Sequence, residues 1–190
     1  MAENITYIVI GITVFISWQA WERPELFNRL KFQMAAILEQ KQYSRILTSG
    51  FVHADGMHLI FNMFTLYVFM PQVLYMFSVR DTLFIYILAI LSGNLLTILV
   101  HRKERWYTAV GASGGVAGIV FAGIVLFPQK PLQIVFFPFV KFPAWLFGVI
   151  YLAYSAFGMK RNLGNLGHAA HIGGSLVGIV MGLYLKAQIV

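Results

Sequence analysis

The chain has 190 residues, of which 59% are hydrophobic and 11% charged, with 14 Lys and Arg against 7 Asp and Glu and a formal net charge of +7. Long unbroken apolar runs at this composition exclude a soluble domain with a polar shell, and the absence of cysteine excludes disulfides and a thiolate nucleophile. The basic residues are spread over several short loops, a pattern that speaks against nucleic acid as a partner and suits contact with anionic lipid head groups.

Six runs approach the ~20 residues needed to cross a hydrocarbon layer: Ile5–Trp21, Met57–Phe77, Thr82–Val100, Ala109–Phe127, roughly Phe142–Gly158, and His168–Leu185. They predict an all-α, polytopic membrane protein in which residues 1–190 form a single six-helix domain with no separate soluble part. The first run follows acidic Glu3, lacks a basic n-region and has no small-residue cleavage site behind it, so it reads as a retained span. The connection over residues 22–56 is the longest and should carry structure of its own. Ser78 to Asp81 makes a tight turn. Pro128, Pro131, Pro138 and Pro143 punctuate an aromatic stretch, Ile134 to Phe142, expected to lie at the membrane interface because prolines this dense break a spanning helix. No internal repeat supports an inverted-repeat transporter.

If the six helices alternate in direction, the second, fourth and sixth begin on one side of the membrane. His58 opens the second, and Ser113 and His171 each fall about one turn into the fourth and sixth, at comparable depth. Asn62 follows His58 by four residues and shares its helical face. Gly174, Gly178 and Gly182 make a smooth groove on the His171 face, while Gly111, Gly114, Gly115 and Gly118 flank Ser113, so the two helices can meet backbone to backbone.

All carboxylates, namely Glu3, Glu22, Glu25, Glu39, Asp55, Asp81 and Glu104, lie outside the apolar runs. No buried acid can complete a Ser-His-Asp triad, and Asp55 is the nearest. Ser113 as nucleophile would pair with His171 as a dyad, the imidazole taking the hydroxyl proton and returning it to the leaving amine. Oxyanion donors are available in the backbone N–H of Ser113 and the side chains of His58 and Asn62, one such donor being worth ~3–4 kcal/mol at the transition state.

Each feature also has a plainer interpretation. The glycines could serve packing alone, His58 could be an interfacial histidine, and Asn62 an interhelical hydrogen bond. His53, His58, His168 and His171 could instead hold a metal or haem, but there is no His-Glu-x-x-His and no in-span carboxylate, and such a site gives the Ser113 glycines no purpose. No metal and no cofactor are expected.

Taken together, these residues resemble the rhomboid family of intramembrane serine proteases, in its bacterial six-helix type. Gly111-Ala112-Ser113-Gly114 is similar to the family's nucleophile motif, and His171 within Ala170-His171-Ile172-Gly173-Gly174 to its base. His53, His58 and Asn62 resemble its second-helix motif, Arg45 its first-loop arginine, and Ser92-Gly93 its third-helix Ser-Gly. The resemblance covers all six spans in the right order. It implies a water-accessible cavity and cleavage of other proteins' transmembrane segments at or near the membrane surface, where a substrate helix can unwind. A catalytically inactive, span-binding relative is the alternative, which intact Ser113 and His171 disfavour.

This chain departs from the family pattern at Ala117, where an aromatic residue often packs on the base, at Ser44 in place of a tryptophan beside the arginine, and at Leu74 in place of an acid. His168, three residues before His171, could tune the base or sit at the interface. The fifth helix, entered through Pro143-Ala144-Trp145, is by analogy a candidate for lateral substrate access. All Lys and Arg except Arg80, Lys130, Lys141 and Lys186 fall on the active-site side. The positive-inside rule would turn that side toward the cytoplasm. The resemblance implies the opposite, a bacterial plasma membrane with the site opening to the outer face.

Overall fold

A computed structural model of the chain describes residues 2–134, 137–161 and 167–189. Each apolar run of the sequence carries one long helix: α1 (Ala2–Glu22), α5 (Gly56–Met76), α6 (Val79–His101), α7 (Ser113–Leu126), α8 (Ala144–Arg161) and α9 (His168–Lys186). Among the described residues, four of them (α1 from Asn4, α5, α6 and α9) are long and apolar enough to cross a membrane. On α1 the usual pattern is inverted. Thr6, Thr13 and Ser17 face inward and are buried, while Tyr7, Ile8, Ile12, Phe15 and Trp18 are exposed, as suits a helix whose outer face meets lipid.

α7 has 14 residues where α6 has 23, so it is about 14 Å shorter at 1.5 Å per residue. It is apolar on all sides, and every residue from Gly114 to Leu126 except Val125 is buried, so it stands at the centre with α5, α6 and α9 packed around it. A short central helix among longer neighbours leaves a recess above its N-terminus, and that is where Ser113 stands.

The expected start of the fourth span at Ala109 is corrected. Thr108 and Ala109 form a short strand, β2, antiparallel to β1 (Phe32–Gln33), with Phe32 opposite Ala109. Gly111 then turns through φ +124°, which a right-handed helix cannot contain. Ser113 is therefore the first residue of its helix, while His171 sits one turn into α9. The long first connection folds into α2 (Pro24–Leu30), β1, α3 (Met34–Leu38), α4 (Arg45–Thr48) and a 3-10 turn over Ser49–Phe51. Phe32, Met34 and Ile37 form its own small core against Ile46, Ile98 and Tyr107.

The proline-rich aromatic stretch is a two-stranded hairpin, β3 (Pro131–Ile134) with β4 (Phe137–Pro143), and Leu132 opposes Phe142. Val135 and Phe136 lie outside the described residues. The tight turn after α5 is shorter than expected, because Ser78 caps α6 by accepting the Asp81 N–H at 3.1 Å and Asp81 already belongs to its first turn.

Glycines set the spacing of the central helices. A Cβ on Gly174 would run into the Gly114 carbonyl, and one on Gly178 into the Gly118 carbonyl, so α7 and α9 cross at backbone contact. α6 joins them in the same way, since a Cβ on Gly173 would come within 2.8 Å of both Gly93 Cα and the Ser92 carbonyl. Ser92 adds a hydrogen bond of 3.1 Å to the Gly173 carbonyl.

Candidate active site

The two residues before Ser113 are tied down by the first loop. The Gly111 N–H donates to the Ser49 carbonyl at 2.9 Å. The Asn94 side chain of α6 holds Ser49 in place, donating to its Oγ at 3.1 Å and to the Ile46 carbonyl at 2.7 Å. The Ala112 N–H donates to His53 Nε2 at 3.2 Å. With Nε2 accepting, the imidazole proton sits on Nδ1 and points to Ser17 Oγ at 3.0 Å, whose own hydrogen goes to the Phe51 carbonyl. Trp21 donates to the His53 carbonyl at 2.8 Å. Burial pushes His53 down to about 3, with His58 adding to the effect and Asp55 opposing it, so its ring is neutral at ordinary pH.

The first bond inside α7 runs from the Val116 N–H to the Ala112 carbonyl. The N–H groups of Ser113, Gly114 and Gly115 thus form the open, electropositive end of the helix beside the serine hydroxyl.

His58 lies over Gly111, where an added Cβ would come within 2.6 Å of the imidazole. Asp55 caps α5 by accepting the His58 N–H at 2.8 Å, which gives this carboxylate a structural role. Asn62 is buried and donates to the His58 carbonyl at 2.9 Å, steadying the turn that carries His58.

A cavity of about 620 Å³ collects His58, Gly111, Ser113, His168 and His171, together with Asn94, His101 and Glu104. Asn62, His53 and Arg45 do not line it. Arg45 instead braces the first loop, donating to the carbonyls of Asn28 at 2.6 Å and Lys31 at 2.9 Å and to Gln42 Oε1 at 2.6 Å. Ser113 and His171 face the same cavity without a hydrogen bond between them.

His168, the first residue of α9, is buried at 4% exposure. Its ring fills the notch left by Gly158 of α8, where a Cβ would collide with it, and meets Tyr154 edge-on at 5.5 Å. His171 has the rings of Tyr151 at 5.7 Å and His168 at 6.2 Å beside it. Among the described residues, no group of three or more His, Asp or Glu is placed to hold a metal ion.

Sequence reading missed Ser17, Ser49, Asn94 and Tyr151. Asn94 carried a usable signal, as a polar side chain inside an apolar run. Tyr151 carried none, being one aromatic among several in its helix.

The family described as Rhomboid domain matches residues 40–188. The chain belongs to the rhomboid family. Rhomboid protein 1, mitochondrial, of Saccharomyces cerevisiae is 28% identical over 98% of this chain and 55% of its own length. RHOMBOID-like protein 12, mitochondrial, of Arabidopsis thaliana is 23% identical over 91% of this chain and 55% of its own length. The human presenilin-associated rhomboid-like protein, mitochondrial, is 28% identical over 90% of this chain and 45% of its own length. The chain thus spans about half the length of these relatives. Family membership makes it a polytopic helical membrane protein.

The expected bacterial plasma membrane is overturned by these relatives, each a mitochondrial protein by name. That expectation came with the resemblance to the bacterial six-helix type.

Proposed function

We propose that this chain is an intramembrane serine endopeptidase that hydrolyses peptide bonds in or near the transmembrane segments of other membrane proteins. Ser113 Oγ attacks the scissile carbonyl while His171 accepts its proton and passes it to the departing amine. The open N–H of Ser113 and the His58 ring are the oxyanion donors at the mouth of α7, with Asn62 and His53 supporting them from behind. Water reaching the same cavity resolves the acyl-enzyme, His171 acting again as base. No metal or cofactor enters this scheme.

The observation that carries the reading is the single cavity shared by Ser113, His58 and His171, held at backbone contact by the Gly114–Gly174 and Gly118–Gly178 crossings. One observation favours a second reading, that of a rhomboid-like protein that binds spans without cutting them: no hydrogen bond joins Ser113 to His171 in this structure. Such bonds often tighten only when substrate is bound, so the protease reading is preferred.

The test is cleavage of a reconstituted transmembrane substrate by the wild-type protein, Ser113→Ala and His171→Ala, with and without chelator. Activity lost in both variants and indifferent to chelator supports the Ser-His mechanism. Activity that survives Ser113→Ala rejects it, and wild-type protein that binds the substrate without cutting it favours the second reading.

A further inference from the structure

A general base works only if its ring presents one nitrogen to the hydroxyl it deprotonates. An imidazole turns easily about its last side-chain torsion, and many catalytic histidines are held by a hydrogen bond at the second nitrogen. No hydrogen bond joins the His171 ring to a described residue. What stands beside it is aromatic: Tyr151 of α8, with ring centroids 5.7 Å apart and planes inclined by 33°, and His168, edge-on at 6.2 Å and 81°.

Tyr151 is itself braced. Phe147, one turn earlier on α8, lies 5.8 Å away at 32°, and Phe121 of α7 lies 5.7 Å away at 53°. Gly148 lets α8 approach closely at this level, since a Cβ there would stand 3.3 Å from the Phe121 ring and 3.2 Å from Ile124. The Tyr151 ring is thus fixed by two helices and presented to a third. Two rings at this separation and tilt attract each other beyond their buried area.

We propose that Tyr151 is a positioning residue for His171: its ring is the seat that holds the imidazole toward Ser113, so α8 sets the alignment of the base. This rests on the protease reading, and it assigns the seat to the ring and not to the phenol hydroxyl.

The test uses the full chain in detergent micelles, with wild type, Ser113→Ala, Tyr151→Phe, Tyr151→Leu and Tyr151→Met. Labelling by a small fluorophosphonate reads the nucleophile and base without the step of substrate entry, and steady-state cleavage of a transmembrane substrate separates kcat from KM. Tyr151→Leu and Tyr151→Met are expected to label about 3- to 10-fold more slowly and to lose kcat with KM unchanged. Tyr151→Phe should restore wild-type labelling. The methionine variant puts an unbranched, flexible side chain in place of the ring and adapts to the gap, so it decides the matter if the leucine variant does not fold. Wild-type labelling rates in both ringless variants overturn this inference alone, as does an equal loss in Tyr151→Phe. Wild-type protein whose labelling is indifferent to Ser113→Ala overturns the protease reading and this inference with it.

Discussion

His53 Nε2 accepts the backbone N–H of Ala112, so a ring 59 positions earlier in the chain holds the residue that precedes Ser113. A proton on Nε2 would set a donor against a donor. Because the folded ring titrates near 3 and an unfolded histidine near ~6.5, its contribution to stability is complete above about pH 6.5 and is lost as the pH falls toward 3. The thermal midpoint of the wild-type protein in detergent should therefore drop between pH 7 and 4, and a His53→Gln variant should show a smaller drop. An identical pH dependence in the two proteins would remove His53 as the cause.

Gly111 carries both a positive φ and the His58 ring against its α-carbon. Gly111→Ala should cost about 1–3 kcal/mol in backbone strain alone and push His58 aside. At least a tenfold loss of fluorophosphonate labelling is expected, with unchanged helical circular dichroism. Full labelling would mean that the position of His58 over Gly111 is immaterial.

At the α7–α9 crossing, Gly178→Val drives a branched side chain into the Gly118 carbonyl and should destabilise by about 2–3 kcal/mol or more, since backbone cannot step aside. Gly182→Ala meets Ala122 Cα and the Val125 side chain at 3.3 Å and should be milder. Gly11→Ala, with nothing within 4 Å, is the neutral control. Thermal denaturation of the three variants should rank them in that order.

The Arg45 guanidinium makes three hydrogen bonds that close the first loop on itself. Bonds to a charged group are worth roughly 1.5–3 kcal/mol each, and Arg45→Ala also strands the Asn28 and Lys31 carbonyls. Limited proteolysis should open the segment between α2 and α4 in this variant. Arg45→Lys should recover only part of the resistance, because an ammonium cannot reproduce the planar fork. A cleavage pattern matching wild type in Arg45→Ala would show that the small core of Phe32, Met34 and Ile37 is sufficient.

The helices of the bundle were legible because lipid-spanning runs announce themselves by length, and the α7–α9 contact because Gly114, Gly118, Gly174 and Gly178 repeat at helical spacing. Other features depended on contacts that no local pattern reveals. The run from Ala109 is apolar enough to read as the start of a helix, yet the pairing of Thr108 and Ala109 with Gln33 and Phe32 makes a strand there. The link from Ser17 through His53 to Ala112 joins three distant segments, and no local pattern shows that they meet. Tyr151 could not be matched with His171 from sequence, because α8 and α9 are separate helices whose relative rotation only packing decides.

His171 follows Ser113 by 58 residues (171 − 113), and it enters with a different helix. At about 5–20 residues per second of synthesis, the serine is made several seconds before the base. In the protease reading, that interval is a safeguard. A chain whose α9 is not yet in place holds a serine without its base and cannot cut the proteins around it, and it acquires its chemistry only when α9 packs into the groove of α7.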